Sequence, residues 1–452
     1  MGFPKDFIWG AAAASYQIEG AAFEDGRGIS VWDTFSHTAG KTKNGDTGDT
    51  ACNHYHLFKE DVRLMKEMGL KAYRFSISWS RVLPNGTGEV NEAGLKFYSD
   101  LVDELLKAGI EPFVTLFHWD LPQTIYDRGG WRNREIADWF AAYTRIIVEA
   151  LSDRVSYWMT LNEPFCHILL GHHTGKHAPG EQTSVCETFR LLHHMNLAHG
   201  KAVQTIRAYA KKPAMIGYVP NPGSAVPASG SEEDIAAARA YFLSADTRGI
   251  FSNSWWLDPI LLGEYSKEGI KLMGKDFPAD MIKDGDMELM SQKLDFLGIN
   301  LYFGDIIRHD DIHGFAVCPL KAGYPQNDLN WPIVPEILYY TPKFLYEKYK
   351  LPIIIAENGL TLPDWVSLDG KVHDPNRIDY MHRYLEELKK ASEEGIDIRG
   401  YFAWSVLDNF EWSEGYNERF GLIHVDYETL KRTPKDSYYW YRELIQQNGD
   451  NL

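Results

Sequence analysis

Eight short runs rich in β-branched and aromatic residues alternate with helical patterns along the whole chain, and this alternation limits the possible folds more than any other feature. The runs cover Phe7–Ala12, Ala72–Trp79, Glu111–Trp119, Tyr157–Pro164, Met215–Asn221, Phe296–Tyr302, Pro352–Gly359 and Ile398–Ser405. Between them, apolar residues recur at helical spacing, as at Val62, Met65 and Met68. This order is typical of βαβ units and a parallel sheet.

The length of 452 residues fits either about three average domains or one (β/α)8 barrel with enlarged loops. The runs are farther apart than the roughly 31 residues per unit of a minimal barrel, so we expect the surplus to form loops. Gly- and Pro-containing stretches at 41–49, 219–231 and 321–335 follow runs instead of forming one linker. We therefore predict an α/β fold with a single (β/α)8 TIM barrel domain over residues 1–452, rather than an open doubly wound sheet.

Charge and cysteine content narrow the functional classes. The chain has 46 Lys plus Arg against 63 Asp plus Glu, a net charge of −17, which disfavours nucleic acid and anionic lipid as partners. There is no apolar run of 18 residues and no signal-peptide pattern, so we expect a cytoplasmic protein without a membrane segment. Four irregularly spaced cysteines, Cys52, Cys166, Cys186 and Cys318, predict buried thiols.

Polar residues follow several of the predicted strands directly. His118 lies at the end of the third run, Glu163 at the end of the fourth and Glu357 at the end of the seventh. In a barrel these ends meet at one mouth. A single Glu after a strand is often a solvated turn residue or a helix cap, but two such residues among aromatic side chains favour a function. Paired carboxyl groups suit glycoside cleavage, because one protonates the leaving oxygen while the other attacks or activates water.

Histidine pairs allow a weaker alternative. His173 and His177 have the i, i+4 spacing of metal ligands on one helical face, but Gly171 and Gly175 predict a loop there. The chain has no H-E-x-x-H, P-loop, G-x-G-x-x-G or G-x-S-x-G motif. These patterns predict neither a metal site nor nucleotide or serine-hydrolase chemistry.

The residues around both glutamates resemble the acid/base and nucleophile motifs of glycoside hydrolase family 1, the β-glucosidase family. The resemblance extends over nearly the whole chain and rests on Phe7-Ile8-Trp9-Gly10, Tyr16-Gln17-Ile18-Glu19-Gly20, the segment 73–81, Phe117-His118-Trp119-Asp120-Leu121-Pro122, Thr160-Leu161-Asn162-Glu163-Pro164, Ile355-Ala356-Glu357-Asn358-Gly359 and the segment 404–412. Ala356 stands where the family often has Thr, but the Glu-Asn-Gly core is intact.

This resemblance implies a retaining β-glucosidase that acts on terminal non-reducing β-D-glucosyl residues of aryl glucosides and cellobiose-type oligosaccharides. Glu163 would be the general acid/base and Glu357 the nucleophile. We expect Arg74 to keep Glu357 ionised, whereas burial and the charge of Glu357 should raise the pKa of Glu163. The implied partner is a small-molecule β-glucoside or short oligosaccharide, with no cofactor and no metal; the oligomeric state stays open.

The resemblance also implies a substrate-binding set. Its members are Gln17, His118, Trp119, Asn162, Tyr302, Trp331, Trp404, Glu411, Trp412 and Phe420, with Arg74 and Asn300 supporting the nucleophile. Trp331 would line the aglycone side with Phe165 and Leu170, and Trp404-Ser405 would be a cis peptide. Relatives that cleave 6-phosphoglucosides have a small hydroxyl residue in place of Glu411, so an ionised Glu411 should repel phosphate. Arg419 is expected to fix a loop through an ion pair.

Two alternatives remain open at this point. The first is a sugar-binding barrel that has lost catalysis, although the loss of Glu163 or Glu357 would be its signature and both are present. The second is an enzyme of the same family that mainly transfers glycosyl groups. Competition between water and the acceptor decides between hydrolysis and transfer, and the sequence does not resolve it.

Overall fold

The computed structural model describes residues 2–245 and 248–452. In it, eight parallel strands close a barrel in which each strand pairs with its neighbour in the chain and the first pairs with the last. The strands are β1 (Ile8–Ala12), β2 (Ala72–Ser76), β3 (Glu111–Phe117), β4 (Tyr157–Asn162), β5 (Met215–Val219), β6 (Phe296–Asn300), β7 (Ile353–Asn358) and β8 (Ile398–Trp404). One strand lies in each predicted run, so the predicted (β/α)8 barrel is confirmed.

Amphipathic helices cover the outside of the barrel. In Glu92–Ala108, for example, Phe97, Tyr98, Leu101 and Leu105 are buried at the spacing of one helical face. Gly109 ends this helix with a φ of 77°, a conformation that favours glycine. The outer helices are His54–Met68, Glu92–Ala108, Ile136–Leu151, Val185–Tyr209, Ile337–Tyr349, Pro375–Glu393 and Asp436–Gln446. The helix Glu232–Leu243 packs instead on a small sheet of three additional strands.

The surplus length does not form loops alone, so that expectation was partly wrong. Inserted segments carry their own apolar faces, as at Trp255 and Trp256, both buried, and they fold into short elements to bury them. The short helices are Ser15–Ile18, Val31–Ser36, Trp79–Val82, Gln123–Asp127, Cys166–His173 (a π-helix), Ser254–Leu261, Lys267–Met273 and Asp286–Met290, and the 3₁₀ turns are Lys43–Gly45, Gly130–Arg132, Gly249–Phe251, Gly274–Asp276, Ala279–Met281 and Trp412–Glu414. The additional strands are Ser224–Pro227, Gly304–Asp310, Gly314–Val317, Ile423–Val425 and Arg432–Pro434.

The barrel interior is filled by side chains from several strands. Phe113 stacks on Tyr157 with ring centroids 4.1 Å apart and lies 5.0 Å from the ring of Phe402. Gly217 faces Phe296 so closely that a Cβ atom would lie 2.3 Å from its ring. A small residue is therefore required at position 217 beside this ring. The packed interior leaves the mouth at the C-terminal ends of the strands for a site.

The cysteines differ from expectation. Only Cys52 is buried, whereas Cys166, Cys186 and Cys318 are partly exposed, and all four are free thiols. Within the described ranges, no helix is both long and apolar enough to span a membrane.

Candidate active site

A cavity of about 560 Å³ opens at the C-terminal ends of the barrel strands. Ten of the predicted site residues line it: His118, Trp119, Glu163, Tyr302, Trp331, Glu357, Trp404, Glu411, Trp412 and Phe420. Phe165 and Leu170, expected on the aglycone side, line it as well. The remaining predicted residues do not line the cavity, but each forms a hydrogen bond to a residue that does. They are Gln17, Arg74, Asn162 and Asn300.

Irregularities in strand pairing direct the side chains of Asn162 and Glu357 toward the mouth of the barrel. In β4 the pairing with β5 shifts between Met159 and Asn162, and in β7 the pairing with β6 shifts between Ile355 and Glu357. Strict alternation would send successive residues to opposite faces, so Ala356 and Glu357 could not both face the interior without such an irregularity. The shifts place Asn162 and Glu357 at the mouth.

Glu357 is held by two donors. Arg74 on β2 donates from Nη1 to Oε1 at 2.5 Å, and the hydroxyl of Tyr302 donates to Oε2 at 2.7 Å. Arg74 also donates to Asn162 and Thr115, which fixes the plane of its guanidinium. Burial raises the pKa of Glu357, while the charge of Arg74 and the hydrogen bond from Tyr302 act in the opposite direction. The expected ion pair between Arg74 and Glu357 is present, and it limits the rise in the pKa of Glu357 that burial causes.

Glu163 has a different environment. Its φ is 40°, in the left-handed region, and Asn300 donates to its Oε1 at 2.6 Å. Burial, followed by the negative charge of Glu357, raises the pKa of Glu163 to about 8, in the predicted direction. A carboxyl group that keeps its proton at neutral pH can act as a general acid.

A polar network surrounds the inner end of the cavity. Gln17 Nε2 donates to Glu411 Oε2 at 3.2 Å and to Asn409 Oδ1 at 3.0 Å. Asn162 Nδ2 donates to His118 Nε2 at 2.9 Å. Burial and the charge of Arg74 lower the pKa of His118, so the ring is neutral and its Nδ1 carries the proton.

The surroundings of Glu411 act against the expected ionised form. Burial, then the charges of Glu357 and Glu418, raise the pKa of Glu411 well above its usual value. A neutral Glu411 can donate as well as accept a hydrogen bond. Part of this rise in pKa comes from neighbouring carboxyl groups, which would also disfavour an anionic ligand.

Aromatic side chains form two walls. On one side, the ring of Trp412 lies 4.5 Å from those of Trp119 and Trp32. On the other, the ring of Trp331 lies 5.5 Å from Tyr302 and 5.0 Å from Phe303. Flat apolar rings suit the C–H faces of a sugar.

Backbone strain and an unusual peptide accompany these walls. Trp119 and Trp412 have φ of 77° and 53°, which costs of order 1–3 kcal/mol each and persists only where the surroundings impose it. Trp404-Ser405 is a cis peptide, as the family resemblance implied.

Sequence reasoning missed several lining residues. They are Cys166, Lys176, His177, Asn221, Phe303, Leu329, Ser413 and Glu414. Asn221 ends the fifth predicted run and Cys166 follows Glu163 by three residues, so strand-end position could have identified both. The others lie in connecting segments without a recognisable pattern.

The loop predicted around Gly171 is wrong for part of its length. Residues Cys166–His173 form a π-helix, which ends before His177. Gly171 serves close packing, because a Cβ atom there would lie 2.3 Å from the carbonyl oxygen of Ala178. Across residues 2–245 and 248–452, no three His, Cys, Asp or Glu side chains form a metal-ligand cluster.

Arg419 has the predicted loop-fixing role. Its Nη1 donates to Asp408 Oδ2 at 2.7 Å and to the carbonyl oxygen of Val425. Both partners of Arg419 lie in the segment that follows β8, so the ion pair ties together the chain around Glu411.

A (β/α)8 barrel with two glutamates in one sugar-sized cavity defines the class of the glycoside hydrolases. The family model described as glycosyl hydrolase family 1 matches residues 1–450, and the chain belongs to this family. It is similar to β-glucosidase A of Thermotoga maritima, with 47% identity over 449 residues, 99% of this chain and 98% of the relative. It is also similar to β-glucosidase A of Acetivibrio thermocellus, with 45% identity over 451 residues and 99% of each chain covered. The solved β-glucosidase of Thermotoga maritima in complex with glucoimidazole has 46% identity, a TM-score of 0.90 and 99% coverage of both chains.

Proposed function

We propose that this protein is a retaining β-glucosidase that hydrolyses terminal non-reducing β-D-glucosyl residues of aryl glucosides and cellobiose-type oligosaccharides. Residues 1–452 would act as one catalytic domain. The observation that carries the proposal is the pair of glutamates in one cavity with opposed environments. Glu357 contacts the cation Arg74, whereas Glu163 lacks a cationic partner among the contacts described and has a pKa of about 8.

In the first step, Glu357 attacks the anomeric carbon and forms a covalent glycosyl-enzyme ester. Glu163 donates its proton to the glycosidic oxygen, and the aglycone leaves as an alcohol. Arg74 and Tyr302 orient the attacking carboxylate because they bind its two oxygens separately.

In the second step, Glu163 acts as a base. The ester removes the negative charge of Glu357, so the main electrostatic cause of the high proton affinity of Glu163 is lost. Glu163 then accepts a proton from a water molecule, and that water attacks the anomeric carbon from the same side that the aglycone left. Two displacements retain the β configuration.

Sugar recognition would come from the inner network. The Oε1 atom of Gln17 is buried without a protein hydrogen bond among the described residues, and it can accept one from a hydroxyl group. Glu411 and His118 Nδ1 supply further groups, with Trp412 as the apolar platform. This set of uncharged contacts, together with the net charge of −17, supports neutral glycosides over nucleic acid.

The test is the configuration of the first product. Proton NMR during hydrolysis of a nitrophenyl β-glucoside should show β-glucose before mutarotation; α-glucose would contradict a double displacement. A 2-deoxy-2-fluoroglucoside should add one sugar mass to the peptide that contains Glu357. The exposed Glu149→Gln variant should still be labelled, whereas Glu357→Gln should not.

A further inference from the structure

A thiol lies beside the proposed acid/base. Cys166 lines the cavity one helical turn after Glu163, at the start of the π-helix. Asn221, which follows β5, donates from Nδ2 to the Cys166 sulfur at 3.1 Å. The thiol also lies close enough to the carboxyl group of Glu163 for each group to affect the pKa of the other. Asn221, Cys166 and Glu163 therefore form a chain of side chains along one wall of the cavity.

We propose that Cys166 is a positioning residue for Glu163: its thiol, oriented by Asn221, donates a hydrogen bond that fixes the Glu163 carboxyl group and modestly stabilises its ionised form. This inference rests on the proposed function of Glu163 and adds a residue that acts through it. Cys166 is neither the nucleophile nor a proton donor to the substrate.

A thiol suits a position beside Glu163, because Glu163 acts first as an acid and then as a base in the proposed mechanism. Glu163 must hold a proton in the first step and release it before the second, so a second strong donor in addition to Asn300 would stabilise the carboxylate and oppose the first step. A thiol is a weak donor, and it can rotate when Glu163 is protonated. Asn300 supplies the stronger hydrogen bond, at 2.6 Å to Oε1. Cys166 can hold the carboxyl group without strongly opposing protonation.

Other charged groups also act on Glu163. Glu357 on β7 disfavours its ionisation, and Arg74 on β2 favours it. Glu411, after β8, lies near enough for Glu163 to raise its pKa, and the same holds for Tyr302 after β6. Substitutions of Cys166 leave all of these in place, so a change in titration would be attributable to the thiol.

The experiment measures kcat/KM against pH for cellobiose with wild type, Cys166→Ala, Cys166→Ser and the control Cys318→Ala. Cys318 is also a partly exposed free thiol, but it does not line the cavity. Loss of the donor should raise the pKa of Glu163 and move the alkaline limb up by about half a pH unit. The stronger hydroxyl donor of Ser should move it down by a similar amount. Asn221→Ala should move it in the same direction as Cys166→Ala.

Two outcomes would overturn the inference. One is an unchanged alkaline limb in both Cys166 variants, which would mean that the thiol only fills space, even if KM changed. The other is a shift of the same size in Cys318→Ala. Failure of the proposed function has a separate signature: wild type would then show no alkaline limb with cellobiose, whatever the Cys166 variants did.

Discussion

Glu163 and Glu357 are the same residue type in the same cavity, and their neighbours alone separate their roles. Arg74 and Tyr302 hold both oxygens of Glu357, which favours an ionised nucleophile. Burial and the charge of Glu357 raise the pKa of Glu163, so Glu163 keeps its proton. Two carboxyl groups placed close together would thus supply the acid and the nucleophile that the proposed function requires.

Replacing the acid should affect substrates unequally. We expect Glu163→Ala to lower kcat/KM for cellobiose by about 10²–10⁴-fold, because the leaving sugar is a poor leaving group and needs a proton. For a dinitrophenyl glucoside, whose leaving group departs as a stable anion, kcat/KM should fall by less than about tenfold. Steady-state kinetics on both substrates measure the difference. Equal losses on the two would contradict the acid role.

At the scale of elements, a connecting segment holds Trp331, which we propose lines the aglycone side. Asn327 Oδ1 accepts hydrogen bonds from the backbone N–H groups of Leu329 and Trp331, at 3.0 and 2.9 Å. These bonds hold the Trp331 ring against Tyr302 in a segment that has no strand or helix of its own. The side chain of Asn327 therefore fixes a segment that has no regular secondary structure.

Removal of this ring should alter aglycone preference. We expect Trp331→Ala to lower the ratio of kcat/KM for nitrophenyl glucoside to that for methyl glucoside by about tenfold, since an aromatic aglycone loses its stacking partner. Trp365→Ala is the matched control, because Trp365 is 68% exposed and does not line the cavity. If both variants gave the wild-type ratio, Trp331 would not belong to the aglycone side.

A buried ion network joins the segments after β7 and β8. Lys435 donates to Asp364 and, at 2.7 Å, to Asp408, and all three side chains are almost completely buried. Asp408 also accepts from Arg419 and from the backbone N–H of Gly421. Removing one member of such a network leaves its partners charged and desolvated.

We expect Lys435→Met to lower the free energy of unfolding by about 3 kcal/mol. The comparison variant Lys96→Met removes the exposed i, i+4 pair with Asp100, and its effect should stay below about 1 kcal/mol. Urea denaturation followed by fluorescence would measure both. Similar small effects would mean that water or rearrangement compensates the loss of Lys435.

At the scale of the whole molecule, carboxyl groups are concentrated at the cavity. Burial, and then the charges of Glu357 and Glu418, raise the pKa of Glu411, and the chain as a whole carries a net charge of −17. Two nearby cations are already paired, Arg419 with Asp408 and Lys43 with Glu414. A phosphate group at this end of the sugar would meet carboxyl groups, while these two cations are engaged in ion pairs.

We therefore expect kcat/KM for a nitrophenyl 6-phosphoglucoside to be at least about 100-fold below that for the plain glucoside. Glu411→Ser should narrow the gap, because it removes one carboxyl group and adds a small hydroxyl donor. Parallel kinetics on both substrates check this. A wild-type preference for the phosphorylated substrate would refute the assignment of the unphosphorylated class.

The sequence alone determined the barrel and the two glutamates that we propose as its catalytic pair. Alternation of strand and helix periodicities is a local property, so all eight strands could be located before any contact was known. Glu163 and Glu357 were found for the same reason, because side chains that follow barrel strands meet at one mouth. The motif resemblance then assigned the surrounding rings and amides.

Contacts between distant segments were decided only by the tertiary structure. Cys166 meets Asn221 across 55 positions and Lys435 meets Asp364 across 71, and no local pattern marks either pair. The π-helix at Cys166–His173 was missed because Gly171 suggests a loop until its packing against Ala178 is known. The pKa of Glu163 likewise depends on burial and on a charge supplied by another strand. Periodicity reports which face a residue occupies, whereas the partners on that face depend on how the eight units close around one axis.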